Sequence, residues 1–280
     1  MAPKPAHRIF FIALFWAFRE YCISQTTSSL TSVHNPRLKA IRRAVAHHAL
    51  TPDGFSVAEG FHLLEEARRS RLEIGAVFLA EGTADVEAEA PVYRLPANVF
   101  NQLSTTETSQ GVVTLVRPPE WKIEQTMPPG GLTIVLDGVQ DPGNAGAIVR
   151  AGEAFGASGV VFLKGTASPF NPKTLRASAG SLFRLPFVYD ASDSSFAKML
   201  SESGMRLYAA TSGGGAIALP AAGLGQGCAI LIGSEGSGVR PHWHEQAIGL
   251  HIPTHAVESL NAAVAAAVIL YEAWRQRTLP

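Results

Sequence analysis

Residues 132–155 read LTIVLDGVQDPGNAGAIVRAGEAF, and this stretch decides the fold of the chain. Leu132 to Leu136 is apolar except for Thr133, which is typical of a strand buried on both faces. A loop rich in glycine follows and leads to Asn144, a residue type that favours the start of a helix. A strand, a loop and a helix in this order predict one unit of a mostly parallel α/β sheet, and such sheets bind ligands beyond the carboxyl ends of their strands.

A second segment of the same character spans residues 229–241, AILIGSEGSGVRP. An apolar strand runs into a loop that holds Glu235 between glycines. The loop exposes backbone N–H and C=O groups, which suits a ligand that carries an adenine or an amino-acid group. A flexible surface loop is the plainer alternative.

The third segment spans residues 250–271, LHIPTHAVESLNAAVAAAVILY. Ser259 and Asn261 precede a helix rich in alanine, whose small side chains permit close packing. Either residue is able to cap that helix and to offer a hydrogen bond to a ligand. A capped core helix without a ligand is the alternative here, as an ordinary strand-to-helix turn is for residues 132–155.

Composition narrows the possible functions only in part. The 280 residues carry 23 Lys and Arg against 23 Asp and Glu, so a basic surface has to be local. Two distant cysteines, Cys22 and Cys228, give neither a disulfide framework nor a zinc spacing, and they fit a reducing compartment.

The dinucleotide and phosphate-loop fingerprints are both missing, which disfavours a nucleotide-dependent oxidoreductase. Four histidines near the third segment lack a ligand spacing, so we predict no metal site; they are His242, His244, His251 and His255.

The pattern of apolar residues predicts four regions. Residues 1–28 form an N-terminal extension, in which Ile9–Phe18 resembles a signal peptide but is too short to span a bilayer. Residues 29–117 alternate helical and strand patterns and predict a small α/β domain. Residues 118–131 are a linker rich in proline and glycine, and residues 132–280 predict a second α/β domain.

Taken in order, the three segments resemble the motifs of the SpoU (TrmH-like) branch of the SPOUT RNA 2'-O-ribose methyltransferases. The matches are Asn144 with Arg150, then Gly233–Gly236, then Ile252–Pro253 with Ser259–Asn261. The string LRASAGSLFRLP at 175–186 is also typical of that family. The N-terminal domain resembles the family's L30e-like substrate-binding domain through SVHNPR at 32–37, FSVAEG at 55–60 and LSTTETSQGV at 103–112.

The resemblance implies a C-terminal trefoil-knot domain on a parallel sheet, a smaller N-terminal L30e-like domain, and a cytoplasmic homodimer with no membrane segment and no metal. It implies S-adenosylmethionine as cofactor and a ribose 2'-hydroxyl of RNA, above all ribosomal RNA, as methyl acceptor. The catalytic residues it implies are Asn144, Arg150, Glu235, Ser259 and Asn261. The cofactor contacts it implies are Thr211, Gly233, Glu235, Gly236, Ile252, Leu260 and Asn261.

Arg150 has an unusual role for a catalytic residue, because arginine stays protonated. We expect it, from the partner subunit, to stabilise the alkoxide that develops on the ribose. A proton relay through an RNA phosphate is the alternative.

RNA binding requires local positive charge, and residues 31–50 and 161–186 carry basic residues but no acidic ones. The phosphate contacts we predict are Arg37, Lys39, Arg42, Arg43, Lys173, Arg176 and Arg184. A solvated helix face is the alternative for each group.

Residues 254–258, THAVE, depart from the family pattern, because this loop is one residue shorter and lacks the usual methionine and glycine. One alternative is therefore a catalytically inactive RNA-binding homologue that has lost the cofactor. A transfer RNA ribose methyltransferase is a further alternative.

Overall fold

The computed structural model describes residues 28–30, 32, 34–211 and 215–279. The extension predicted over residues 1–28, with its signal-like stretch Ile9–Phe18, lies outside the described residues except for Ser28. The described chain forms two α/β units, one on each side of the segment rich in proline.

The N-terminal unit is a five-stranded mixed sheet in the order β1-β4-β3-β5-β2. Strand β4 pairs in parallel with β1 and β3, whereas β5 pairs antiparallel with β3 and β2. Its strands are β1 (Ser28–Ser29), β2 (Ser56–Glu59), β3 (Ile74–Ala80), β4 (Val92–Leu95) and β5 (Val112–Val116). Its helices are α1 (Pro36–His47), α2 (Phe61–Arg69) and α3 (Ala97–Phe100).

The C-terminal unit is a seven-stranded sheet in the order β10-β12-β9-β11-β6-β7-β8, and every one of these pairs is parallel. The predicted parallel sheet is thereby confirmed. Its strands are β6 (Leu132–Asp137), β7 (Gly159–Leu163), β8 (Phe187–Ala191), β9 (Arg206–Ala210), β10 (Ile217–Ala218), β11 (Cys228–Gly233) and β12 (Ile248–His251). Its helices are α4 (Ile123–Thr126), α5 (Pro142–Ala154), α6 (Pro172–Ser178), α7 (Asp193–Ser203) and α8 (Ala262–Thr278).

Strands β6, β7 and β11 are buried along their whole length because helices cover both faces of the sheet. Ile134 of β6 packs in one core with Ile148 of α5 and Ile269 of α8. Its neighbour Val135 points to the opposite face and packs with Phe196 of α7. Successive side chains of a strand alternate between faces, so uniformly apolar strands are the ones that fit between two helical layers.

Helix α5 begins earlier than the sequence indicated. Asp141 is its N-cap and accepts a hydrogen bond from the Asn144 backbone N–H at 2.8 Å, while Pro142 occupies the first helical position. The prediction of Asn144 as the cap was therefore wrong, because an Asp-Pro pair three residues earlier takes that role. Lys173 donates a hydrogen bond to Asp141, and with the Asn144 amide it holds the pKa of that carboxyl below its usual value. The cap stays ionised at the positive end of the helix dipole.

Helix α8 begins at Ala262 with Asn261 as its N-cap. The Asn261 Oδ1 atom accepts hydrogen bonds from the Ala263 and Val264 backbone N–H groups at 2.9 and 3.3 Å. Of the two residues proposed as caps from the sequence, Asn261 is the cap. Ser259 lies two residues outside the helix.

Helices α5 and α6 approach each other most closely at Gly146. A Cβ atom added there would lie 2.4 Å from the Thr174 carbonyl oxygen and 2.7 Å from the Ala177 Cβ. This glycine is therefore required by packing, since any side chain would push the two helices apart.

We expect Gly146→Ala to lower the free energy of unfolding by about 1–3 kcal/mol, the usual range for overpacking a core. Denaturant unfolding measures the change. Gly223→Ala is the matched control, because a Cβ there comes no closer than 3.8 Å to the Arg206 guanidinium. Equal stability of Gly146→Ala and the unsubstituted protein would contradict the close helix contact.

Candidate functional site

Three side chains from the three sequence segments form one hydrogen-bonded chain at the carboxyl edge of the parallel sheet. The Asn144 Nδ2 donates to the Glu235 carboxylate. The Asn261 Nδ2 donates to the Asn144 Oδ1 at 3.2 Å. Asn261 itself is fixed by its cap on α8. The fold thus brings together Asn144, Glu235 and Asn261, three residues that the family resemblance assigned to one site.

Asn144 is the centre of this chain because a side-chain amide both donates and accepts hydrogen bonds. Its backbone N–H is already bound to the Asp141 carboxylate, so the side chain faces the other two segments. Asn144 is half-buried, whereas Glu235 and Asn261 are exposed. The network is thus ordered and still open to a ligand.

The loop after β11 is a tight hairpin. Ser234 and Gly238 exchange both backbone hydrogen bonds, at 3.1 and 2.9 Å. A Cβ at Gly233 would lie 2.0 Å from the Gly238 carbonyl carbon, so the hairpin closes only over glycine. At Gly236 nothing lies within 4 Å of an added Cβ, which leaves the backbone of the hairpin tip open to solvent.

A buried ion pair, which the sequence did not reveal, holds this hairpin on the sheet. Asp137 ends β6 opposite Gly233 and is fully buried. Its carboxylate accepts hydrogen bonds from the Arg240 backbone N–H at 2.8 Å and from the Arg240 Nε at 2.5 Å. The other side of the guanidinium binds Asp193 at 2.5 and 2.9 Å. The signal in the sequence was an aspartate that ends an apolar strand, since such residues are rarely buried unless paired.

Burial pulls the pKa of the Arg240 guanidinium downward, but its bonds to Asp193 and Asp137 outweigh burial and raise it. Arg240 therefore carries its positive charge at every pH at which the protein is folded. The ion pair between Asp137 and Arg240 therefore links strand β6 to the hairpin.

The residues implied as cofactor contacts lie on neighbouring loops. Strand β9 lies between β12 and β11, so the segments after these strands share one edge. The Thr211 backbone N–H donates to the Leu250 carbonyl at 2.9 Å. Ile252 and Leu260 are half-buried and offer apolar walls. Residues 212–214, which follow Thr211 in the sequence, lie outside the described residues.

Two residues implied as catalytic are not joined to the network within one chain. Ser259 is exposed and makes no hydrogen bond to the residues that the structure describes. Arg150 is exposed, and its side chain has neither a hydrogen bond nor an ion pair among the same residues. It lies six residues beyond Asn144 on α5, which is about 9 Å along the helix axis and roughly 120° around it.

The basic residues predicted to bind RNA fall into two groups. On α1, Arg37, Lys39 and Arg43 are exposed and Arg42 is half-buried. Arg37 donates to the Tyr93 hydroxyl at 2.8 Å, and Arg42 donates to Gln102. The second group has partners inside the protein, and its contact with RNA stays a prediction. These pairs are Lys173 with Asp141, Arg176 with Glu59, and Arg184 with Glu66 and Glu153.

No group of three His, Cys, Asp or Glu side chains within residues 28–30, 32, 34–211 and 215–279 could hold a metal ion. The ring of His242 lies 3.2 Å from the Asp193 carboxylate, and that of His251 lies 3.2 Å from the Ala216 carbonyl. In the same ranges no helix has the length and apolar character needed to cross a membrane.

Comparison with known proteins gives matches for both units. Residues 131–271 match the SpoU rRNA Methylase family, and residues 57–122 match the RNA 2'-O ribose methyltransferase substrate binding family. The chain is 31% identical over 249 residues to the 23S rRNA (guanosine(2553)-2'-O)-methyltransferase RlmP of Bacillus subtilis, covering 86% of this chain and 97% of the relative.

Solved structures show the same fold. The AdoMet-bound rRNA methyltransferase from Sinorhizobium meliloti superposes with a TM-score of 0.77 at 26% identity, over 91% of this chain and 99% of that one. An RNA 2'-O ribose methyltransferase gives a TM-score of 0.74 at 31% identity, over 90% of this chain and 100% of that one. The similarity thus extends over both α/β units.

We expect Asp137→Asn to loosen the hairpin, because it removes the charge that holds Arg240. The backbone amides of Ser234 and Gly238 are expected to exchange hydrogen at least about tenfold faster, as in a segment that opens locally. Hydrogen exchange read by mass spectrometry or NMR measures this. Glu202→Gln, in an exposed pair with Lys198, is the matched control. Unchanged exchange in Asp137→Asn would show that the ion pair does not hold the hairpin.

Proposed function

The chain belongs to the SpoU rRNA methylase family and is an S-adenosylmethionine-dependent RNA 2'-O-ribose methyltransferase, and we propose that ribosomal RNA is its substrate. The observation that carries the proposal is the hydrogen-bonded chain from Glu235 through Asn144 to Asn261. It joins all three family motifs at one edge of the sheet. Ribosomal RNA is favoured because the similarity to the 23S rRNA enzyme of Bacillus subtilis covers both units.

The loops at the sheet edge fit the chemistry of the cofactor. S-adenosylmethionine, when bound, supplies an activated methyl group. The open backbone of the hairpin Gly233–Gly238 offers donors and acceptors for polar groups. The half-buried side chains of Ile252 and Leu260 suit an adenine ring. Thr211 and Gly236 complete the proposed set of contacts on the neighbouring loops.

The ribose 2'-hydroxyl has to be held in line with the methyl group and has to lose its proton. The Glu235–Asn144–Asn261 chain gives Asn144 a single orientation, so it is able to position the ribose. Ser259 is a further positioning residue in this proposal. Arg150 stays protonated and therefore stabilises the developing alkoxide without accepting the proton.

Arg150 acts in this proposal on the site of a second copy of the chain. Its distance along α5 and its direction separate it from Asn144 of its own chain. An apolar stripe on α8 favours the dimer, since helix α8 packs beside α5 and exposes Val264, Val268 and Tyr271 at helical spacing. A twofold pairing over this helix pair would bring the two α5 helices together. The trefoil knot also stays a prediction of the family resemblance.

The basic residues of α1 are the proposed phosphate contacts of the N-terminal unit. Arg37, Lys39, Arg42 and Arg43 lie on one helix, and no acidic residue interrupts them. Folded RNA is recognised largely by shape and backbone, so a charged helix face without a base-specific motif is sufficient.

The short loop over residues 254–258 does not favour an inactive homologue. All of residues 253–259 are exposed, and the Thr254 hydroxyl donates to the Val257 carbonyl at 2.7 Å. The loop closes on itself in a turn. Its shortening therefore removes none of the contacts that join Asn144, Glu235 and Asn261.

We expect Arg150→Ala to lower kcat by about 10²–10³-fold, the usual loss when one donor to an oxyanion is removed. Affinity for S-adenosylmethionine, measured by calorimetry, is expected to be unchanged. Arg206→Ala, which removes an exposed arginine elsewhere in the same unit, is the control. Loss of cofactor binding in Arg150→Ala would contradict its placement on the substrate side.

Mixed dimers test whether Arg150 acts in the partner. Subunits with Arg150→Ala and subunits with Asn144→Ala are each expected to be inactive alone. Dissociated and reassembled as a 1:1 mixture, they are expected to recover about a quarter of full activity, because half of the dimers then contain one complete site. No recovery would show that Arg150 serves its own chain.

Mapping of ribose methylation in cells that lack this protein tests the substrate. We expect one 2'-O-methyl group to be lost from ribosomal RNA, with the transfer RNA map unchanged. A loss confined to transfer RNA would overturn the choice of ribosomal RNA. An unchanged map of both RNAs would contradict the proposed function.

A further inference from the structure

Two carboxylates of the N-terminal unit are buried against arginines of the C-terminal unit. Arg176 Nη1 lies 3.1 Å from the Glu59 Oε2, and the Glu59 side chain is only 4% exposed. Arg184 Nη1 lies 2.6 Å from the Glu66 Oε2, and the Glu66 side chain is 10% exposed. The partners are 117 and 118 residues apart in sequence. These two ion pairs, which we call the interdomain clamp, join the substrate-binding unit to the methyltransferase unit.

The carboxylate of Glu59, at the end of β2, is surrounded by hydrogen-bond donors from the loop of residues 104–109. Its carboxylate accepts hydrogen bonds from the Ser104 hydroxyl at 2.5 Å, from the Thr105 N–H and hydroxyl at 2.9 and 2.7 Å, and from the Thr106 hydroxyl at 2.7 Å. A fifth donor is the Ser109 hydroxyl at 3.1 Å. Burial alone would raise the pKa of Glu59, but these hydrogen bonds outweigh it and the pKa lies below its usual value. Glu59 is therefore ionised at neutral pH.

Arg176 of the C-terminal unit also binds this loop. Besides Glu59, its Nη1 donates to the Thr105 hydroxyl at 2.6 Å. Arg176 lies on α6, which packs on α5 at the close approach of Gly146 to Thr174. Helix α5 carries Asn144, so a continuous set of contacts runs from the N-terminal loop to the site.

Arg184 makes a second and more direct connection. Its Nε and Nη2 bind the Glu153 carboxylate of α5 at 2.6 and 3.0 Å, while its Nη1 binds Glu66 of α2. Beside this contact, Gly180 has a positive φ of 92°, and a Cβ there would lie 2.7 Å from the Glu66 Cβ. The backbone at Gly180 is thus pressed against α2, which fixes the approach of the two units.

We propose that Arg176 and Arg184 are positioning residues, which hold the RNA-binding unit in one orientation over the methyl-transfer site through Glu59 and Glu66. The inference rests on the proposed function, because it assigns the clamp to the placement of the RNA ribose. RNA held on the N-terminal unit reaches Asn144 only if that unit is fixed relative to α5. Misplacement of reacting groups by about 1 Å is enough to cost a large factor in rate.

Direct contact of these arginines with an RNA phosphate is the opposing explanation. A phosphate in the place of Glu59 or Glu66 would separate a carboxylate that is almost completely buried from its arginine, and breaking a buried ion pair is costly. Arg184 already binds protein acceptors through Nε, Nη1 and Nη2, and Arg176 binds Glu59 and Thr105 through its Nη1. The geometry therefore favours the clamp.

The test compares Arg176→Ala, Glu59→Gln and the double variant in the full-length protein, with a ribosomal RNA fragment as substrate. We expect each single variant to lower kcat at least about tenfold, with affinity for S-adenosylmethionine unchanged. The double variant is expected to be no worse than either single variant, since both remove the same contact. Arg176→Lys, which keeps the charge, is expected to restore part of the rate. Arg68→Ala, in an exposed pair within α2, is the control.

A direct contact of Arg176 with an RNA phosphate predicts different kinetics. If Arg176 binds a phosphate, Arg176→Ala raises KM and lowers the dependence of log affinity on log salt by about one. Glu59→Gln would then have no effect, and this outcome overturns the proposal, as would full activity in both single variants. If Glu59→Gln does not fold, Glu66→Gln and Arg184→Ala give the same comparison at the second ion pair.

A structural readout separates the clamp from the proposed function. Lys122 is exposed between the two units, and we expect trypsin to cleave there faster in Arg176→Ala than in the control. If the unsubstituted protein fails to methylate ribosomal RNA, the proposed function is wrong, and the cleavage rates still decide whether the clamp exists. Equal cleavage rates in Arg176→Ala and the control would overturn the clamp.

Discussion

The carboxylate of Asp141 takes the first turn of α5, and the amide of Asn144 is thereby free to bind two other segments of the chain. If the side chain of Asn144 capped its own helix instead, it would not connect the loops after β11 and β12. A carboxylate in place of the amide would meet Glu235 with like charge, and an apolar residue would leave both partners unpaired. The site thus depends on a neutral side chain that donates on one side and accepts on the other.

The sheet and the helices around it supply the rigidity that this arrangement needs. Strands β6 and β11 pair in register, so Asp137 and Gly233 end side by side. The buried carboxylate of Asp137 then ties the hairpin down through Arg240. On the other side of α5, Gly146 allows α6 to approach, and α6 carries Arg176 to Glu59. Ligand-binding loops are thereby attached to elements that do not bend easily.

Much of the fold was accessible from the sequence, because nearly continuous apolar runs such as Leu132–Leu136 are distinctive and parallel strands place their carboxyl ends together. The family resemblance named Asn144, Glu235 and Asn261 as residues of one site. Strand β12 escaped prediction, since its residues Ile248–His251 are only partly buried and show no clear alternation. The start of α5 was misplaced because two good capping residues, Asp141 and Asn144, compete over three positions. The pairing of Arg176, Arg184 and Arg240 with Glu59, Glu66 and Asp137 could not be predicted, because each pair is separated by 103 to 118 residues and a single sequence does not show which charges meet.

The long separation of the three network residues has a consequence for folding. Asn144 lies 91 residues from Glu235 and 117 from Asn261, so the network forms only when the whole C-terminal sheet has assembled. A partly folded chain has no binding site at all. A ligand held at this edge binds the native state alone and draws the folding equilibrium towards it, by an amount that grows with the logarithm of its concentration. The free energy of unfolding therefore increases as the site is occupied by its ligand.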